Sequence, residues 1–459
     1  MPESRTPVAK SFKIRSTAAV SADACTAPTA RLSRRAMLVA ASSAGGLAMS
    51  SLPLAAYAQF RVDVAGVGLT QRPFAIAPFK GRELLTSQVD DIVTADLERS
   101  GLFRVVPMET EQLDESSRPD LGPWRARGVD ALITGSVNKL DDQRWGVRFR
   151  LWDVVRAEDL GGVSVPIDGN LGRLAAHRVA DAIYEKLTGE KGVFSTKVAY
   201  VTKSATRHKL WVADADGENA QVALSSPEPV ISPAWSPDGS QLAYVSFEAL
   251  KPVIFAHTVA TGKRRMMANF KGSNSAPAWS PDGQTLLATL TTSGNSQIFA
   301  LAKDGGSPTR LTRTGSIDTE PAYAPDGQFI YFVSNRGGSP QIYRMPSQGG
   351  AAVRITFQGG YNISPSPSPD GKWLAFVGRI DGRFRLQVLN LENNEIRGLT
   401  DTDADESPSF SANSRMVIYA TRVEGREALM TVSVDGRVRT RLAGATGDIR
   451  EPDWGPFRL

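Results

Sequence analysis

Sulfur and imidazole chemistry are nearly absent from this chain. Its 459 residues include one cysteine, Cys25, and three histidines, His177, His208 and His257. Cys25 falls in an N-terminal leader, so the chain that follows has no thiol, which excludes disulfides, thiolate metal sites and cysteine nucleophiles. The histidines are scattered: His177 lies in a predicted helix, and His208 and His257 lie in separate repeats near outer strands. That spread fits buried or solvent-facing imidazoles and not a triad or metal cluster. No G-x-S-x-G elbow follows the leader, so a serine hydrolase built on that turn is excluded. No apolar run is long enough to span a bilayer.

Basic excess is also missing where it would matter. The pI is near 9.2, but residues 1–58 hold seven of the 53 basic residues and two of the 48 acidic ones, leaving 46 of each sign. A neutral body carries no stripe that could track phosphates, and no nucleic-acid partner is expected.

The leader itself is informative. Ser33-Arg34-Arg35-Ala36-Met37-Leu38 opens a modestly apolar stretch that ends in Ala56-Tyr57-Ala58. Small residues at −3 and −1 place a signal-peptidase cut between Ala58 and Gln59. Paired arginines before a weakly apolar core suit twin-arginine export, and a general secretory signal with a long basic start is the alternative. Either route delivers residues 59–459 to the periplasm.

Beyond Pro233 the chain repeats. PAWSPDG occurs at 233 and again at 277, followed by PAYAPDG at 321, PSPSPDG at 365, PSFSANS at 408 and PDWGPFR at 452. A glycine or asparagine marker runs in phase, each copy followed by a run such as Thr309-Arg310-Leu311-Thr312. Strand-like segments rich in β-branched and aromatic residues lie between the markers. Four strands in about 44 residues is the period of a β-propeller blade. Lys197–Leu224 has later strands without a PDG strand, and Pro452–Phe457 has the missing strand alone. Joining them closes six blades through the C-terminal strand and removes the free sheet edges.

Residues 59–192 read as a small α/β domain, with 193–459 as the propeller. Phe74–Phe79 reads as a strand, 83–99 as a helix with apolar residues at Leu85, Val89, Ile92, Val93 and Leu97, and Phe103–Val106 as a strand. Strands over 131–137, 146–153 and 161–166 and a helix over 171–187 complete it.

Within the repeat, Ser236-Pro237-Asp238-Gly239 has the residue order of a type I turn. Successive aspartates sit a blade apart, too far to share a proton or an ion, so the motif is structural. Trp235, Trp279, Tyr323, Phe410 and Trp454 share one phase and suit packing between blades. The segments just before each marker proline are irregular and polar, and they read as loops converging on one channel mouth. They hold Ile231-Ser232, Asn274-Ser275, Thr319-Glu320, Asn362-Ile363, Asp405-Glu406 and Arg450-Glu451. Such a ring suits recognition.

The leader, the α/β domain, the six-blade register, SPEPVISPAWSPDG at 226–239, Thr319-Glu320-Pro321 and Pro452-Asp453-Trp454-Gly455-Pro456 together resemble the TolB family, periplasmic propellers of the Tol–Pal system. The resemblance covers essentially the whole chain after the leader. It implies a non-enzymatic adaptor that supports outer-membrane integrity and envelope constriction at division. The lipoprotein Pal would bind at Asn274, Ser275, Thr319, Glu320, Asn362, Asp405, Glu406, Arg450 and Glu451. TolA would engage the N-terminal segment Gln59, Phe60, Arg61, Val62, Asp63 and Val64, whose alternation suits strand addition. The resemblance admits a cation such as calcium in the channel; the residues read on their own call for no metal or other cofactor. The chain departs from the family at Ser273, where relatives can carry histidine, at Pro367, and at Ser411-Ala412-Asn413-Ser414. The competing interpretation is an enzyme or small-ligand binder that uses the same channel mouth.

Overall fold

The computed structural model describes residues 71–457 apart from 109–112, 142, 169–170, 443 and 445–446. The expected export leader, its expected Ala58–Gln59 junction and the Gln59–Val64 segment lie outside the described residues.

The α/β domain is a five-stranded sheet with α1 (Val89–Arg99) and α3 (Gly172–Thr188) packed on it. Its strands are β1 (Arg72–Ile76), β2 (Phe103–Val105), β3 (Ala131–Lys139), β4 (Arg144–Asp153) and β5 (Glu158–Asp168), in spatial order β2-β1-β3-β4-β5. The first three are parallel and the last two antiparallel. The helix expected over 83–99 is shorter than its periodicity suggests. A single 3-10 turn spans Arg82–Leu84, Leu85 is extended, and the α-helix begins only at Val89. The Arg82 guanidinium holds the break by pairing with Asp90 and Asp91 in the first turn of α1, where acidic residues also favour the helix dipole. A short helix, α2 (Gly122–Ala126), was not expected; Pro123 starts it and Trp124 buries it. Helix α3 ends as its sequence suggests, on Gly189 in a left-handed conformation with its N–H on Glu185 O at 2.8 Å.

The propeller consists of six four-stranded antiparallel sheets. Blades 1 to 5 begin with the inner strands Val230–Trp235, Asn274–Trp279, Asp318–Tyr323, Asn362–Pro367 and Glu406–Phe410. Blade 6 is shared between the two ends of the repeat region. The last strand of the chain, Asp448–Trp454, is its innermost, and β6 (Lys197–Lys203), β7 (His208–Asp214) and β8 (Gln221–Ser226) follow outward.

Repeated hydrogen bonds explain the repeated letters. In the first PDG turn, Gly239 N–H donates to Ser236 O at 2.9 Å, and Asp238 Oδ1 accepts from Ser240 N–H at 3.0 Å and from Ser236 Oγ at 2.5 Å. The turn survives in blade 5, where Asn413 replaces the aspartate and Ser414 takes the left-handed position at φ 62°. The threonines closing Thr309–Thr312 and Val353–Thr356, and Thr400 at the matching place in blade 4, also have a function. The hydroxyls of Thr312, Thr356 and Thr400 accept the backbone N–H of Ile298, Ile342 and Leu386 at 2.9–3.0 Å. The marker aromatics pack between blades: Trp279 against Ala243 and Val245, Phe410 against Ala375 and Val388, and Trp454 against Ile418 and Ala420.

Each inner strand starts at one face of the ring and ends at the PDG-turn face. The α/β domain sits on that second face. Its linker contacts blade 5 through Glu190 with Arg415 and through Lys191 O, which accepts from Asn413 Nδ2 at 3.0 Å. The irregular segments lie at the opposite face, away from the described residues of the α/β domain.

Candidate functional site

The irregular segments are strands and not loops. Each forms the first half of an inner strand, and each contains a bulge where pairing with the second strand shifts register. The cause recurs six times. The residue before the marker proline adopts a left-handed conformation in every blade: Ser232 at φ 53°, Ala276 at 49°, Glu320 at 50°, Ser364 at 55°, Ser407 at 51° and Glu451 at 52°. A proline has no N–H to give a ladder, and a bulge is one of the places where a sheet tolerates it. Such backbone is costly for a residue with a Cβ, about 1–2 kcal/mol each, so the ring stores strain at six equivalent points.

The period of two within each strand then sorts the nine candidate residues. Three positions before the proline, side chains are turned inward, and three candidates fall there. Asn274 is fully buried, donating to Pro252 O, Phe270 O and Gly272 O and accepting from Phe270 N–H. Asn362 holds Gln341 and Gln358 O, and Asp405 accepts from Leu386 N–H and from the hydroxyls of Thr400, Thr402 and Thr421. These three tie the start of an inner strand to the preceding blade, and burial keeps them from a docking partner in this conformation. The adjacent position holds Ser275, Thr319, Glu406 and Arg450, all partly exposed at the open face. The left-handed position holds Glu320 and Glu451.

Three layers line a central channel of about 380 Å³: the six left-handed residues, the six prolines, and below them Ala234, Ala278, Ala322, Ser366, Ser409 and Asp453. Pro367 is the remaining lining residue. The charges in these layers are Glu320, Glu451 and Asp453, with no lysine or arginine among the described lining residues. Each carboxylate reaches sideways into a neighbouring blade. Glu320 Oε2 accepts from Ser364 N–H at 2.7 Å, and Glu451 Oε2 accepts from Ser232 N–H across the closing seam. Asp453 bridges three blades, accepting from Trp235 N–H and Ser409 Oγ, both at 2.7 Å. Burial pushes all three carboxyls up, Asp453 to about 6, and their N–H donors offset part of the rise. Glu406 at the rim rises to about 7, through burial first and then the charge of Glu451.

Asp453 and the prolines escaped the sequence reading as channel-lining residues, whereas Ser232 and Ser364 fall within segments it read as loops. The signal for them was a proline inside a strand-like run, which marks a bulge. A second cavity, about 540 Å³, lies between the α/β domain and the PDG face, lined among others by Phe103, Tyr184, Trp373 and Trp454. Of the histidines, His257 is buried beside Tyr244, and His208 is partly exposed. His177 is buried among carboxylates at the domain joint.

An open propeller face around a narrow, carboxylate-lined channel, fused to an α/β domain, defines the class by architecture. Family comparison narrows this class. The TolB amino-terminal domain matches residues 60–160 and the TolB beta propeller domain matches residues 184–458. The chain belongs to the TolB family. It is 69% identical to the Tol-Pal system protein TolB of Polaromonas naphthalenivorans, over 88% of this chain and 94% of that one. It is 60% identical to the protein of the same description from Dechloromonas aromatica, over 93% and 98%. Among solved structures, TolB from Acinetobacter baumannii superposes with a TM-score of 0.80 at 37% identity, covering 87% of this chain and 99% of that one.

Proposed function

We propose that the protein is a periplasmic, non-enzymatic adaptor of the Tol–Pal system. It binds Pal on the open propeller face and TolA through Gln59–Val64, coupling the envelope layers during constriction. The observation that carries this reading is the ring of six strained bulges around the channel. The bulges present Ser275, Thr319, Glu406 and Arg450 on the face opposite the PDG turns. Exposed apolar side chains on the same face, Leu250, Ile317 and Phe357, give it the mixed character of a protein-docking surface. The channel's charged side chains are all carboxylates, so their chemistry also fits a calcium-class cation.

Titrating the purified protein with the cognate Pal domain tests the proposal. Saturable binding, weakened at least about tenfold by Glu406→Lys with the melting temperature unchanged, is the expected result. Glu406 is the better probe because Glu320 and Glu451 also hold neighbouring blades. Absence of binding by a folded protein overturns the Pal assignment. Deleting Gln59–Val64 is expected to abolish TolA binding and leave Pal binding intact; retained TolA binding contradicts that half.

A further inference from the structure

The joint between the α/β domain and the propeller contains a buried charge network that channel recognition does not use. On α3, Arg173 and His177 are one turn apart and share a face. On the propeller, Asp214 ends β7 and Asp216 lies in the turn after it. Arg173 spans both carboxylates, with Nε 3.2 Å from Asp214 Oδ2 and Nη2 2.5 Å from Asp216 Oδ2. His177 is 1% exposed. Its Nδ1 lies 2.6 Å from Asp96 Oδ2 on α1. Its Nε2 has no hydrogen-bond partner and faces Asp214 Oδ2 at 3.7 Å and Asp216 Oδ2 at 3.9 Å.

The remaining charges close the balance. Arg99 on α1 pairs with Asp96 at 2.7 Å and approaches Asp216 at 4.0 Å, and Lys197 on β6 pairs with Asp214. Asp181, one turn further along α3, is turned away onto the N–H groups of Phe194 and Ser195 in the linker. Three carboxylates, Asp96, Asp214 and Asp216, are therefore met by Arg99, Arg173, Lys197 and the imidazole. With three permanent cations present, the cluster lacks the surplus negative charge that would draw a divalent ion. A neutral His177 that kept its Nδ1–H on Asp96 would aim its Nε2 lone pair at two carboxylates. An imidazolium instead offers a positive N–H to each side.

We propose that doubly protonated His177 and Arg173 form a two-pronged cationic key on α3 that locks the α/β domain onto the Asp214–Asp216 turn of blade 6. The lock holds only while His177 keeps its second proton. Burial by itself lowers the basicity of the ring, but the carboxylate of Asp96 and those beyond it outweigh burial and push His177 up to about 10. The sign follows from linkage: a base whose folded value lies above its ordinary 6.5 contributes stability that is complete below about 6.5 and lost as pH rises through about 10. Across the neutral range the two domains therefore move as one body, and the lock releases on alkaline titration.

The test uses the whole protein, with His177→Gln and Asp216→Asn approaching the lock from opposite sides of the joint. Hydrogen exchange at pH 7.5 is expected to speed up at least about tenfold in residues 192–196 for each variant. The double variant is expected to exchange no faster than the worse single one, because both remove one interaction. Small-angle scattering of the unsubstituted protein is expected to show an unchanged radius of gyration from pH 7 to 9 and an increase above pH 10. His177→Gln should lack that alkaline step. Unchanged exchange in both single variants, or fully additive effects in the double, overturns the lock. A melting temperature raised by zinc in the unsubstituted protein but not in His177→Gln also overturns it, in favour of a metal joint.

Discussion

Glu320 and Ser364 are 44 residues apart in the chain, yet Glu320 Oε2 accepts both the backbone N–H of Ser364 at 2.7 Å and its hydroxyl at 3.1 Å. The bond joins the left-handed residue of blade 3 to that of blade 4. Replacing Glu320 with alanine is expected to cost about 1–3 kcal/mol, the range for leaving a buried donor unsatisfied. Glu320→Gln keeps an acceptor and should cost clearly less. Denaturant unfolding of the two variants checks the order.

Ala276 occupies the same position in blade 2 at φ 49°. Glycine accepts that backbone without strain, so Ala276→Gly is expected to be neutral or stabilising, by up to about 1 kcal/mol. A β-branched side chain tolerates it worst, and Ala276→Val should lose about 1–3 kcal/mol. Melting curves that rank the variants Val below Ala, with Gly at or above Ala, are the expected outcome; the reverse order would remove the strain argument.

Asp453 predicts a pH effect. Its carboxyl is raised by burial to about 6 from an ordinary 3.8. The folded protein thus binds this proton more tightly than the unfolded chain, and the group's contribution to stability falls as pH rises from about 4 through about 6. Asp453→Asn has no such proton to lose. Relative to the unsubstituted protein, its melting temperature should be more favourable at pH 7.5 than at pH 5. An equal difference at both pH values would contradict the assignment.

Asp181 fixes the linker between the domains by accepting from Phe194 N–H at 2.7 Å and Ser195 N–H at 3.1 Å. Asp181→Ala removes the acceptor for both, at about 1–3 kcal/mol for each donor left unsatisfied. Faster hydrogen exchange confined to the linker and the last turns of α3, with the blades unaffected, is the expected signature.

The six blades, their closure and the structural nature of the PDG turn are legible in the sequence because they repeat, and repetition exposes geometry. The candidate site is legible only as a region. Treated as loops, Asn274, Ser275 and Ala276 look equivalent; as a strand, their alternation buries the first, leaves the second partly exposed and bends the third. The proline that follows is the clue, since it signals a bulge and hence a strand on either side. The His177 network is illegible for another reason. Its members lie at 96, 99, 173, 177, 197, 214 and 216 on separate elements, and only tertiary packing of a non-repeating domain on a repeating one brings them together.

Blade 6 makes the order of synthesis part of the architecture. Its three outer strands precede every other blade in the sequence, and its innermost strand follows them all. Without that strand the propeller is an arc with two raw edges and an incomplete channel wall. Glu451 and Asp453, which fasten blade 6 to blades 1 and 5, arrive together with that final strand. A chain cut a dozen residues early would lose a keystone, along with two of the three charges in its channel, and would expose strand edges that invite pairing with other chains.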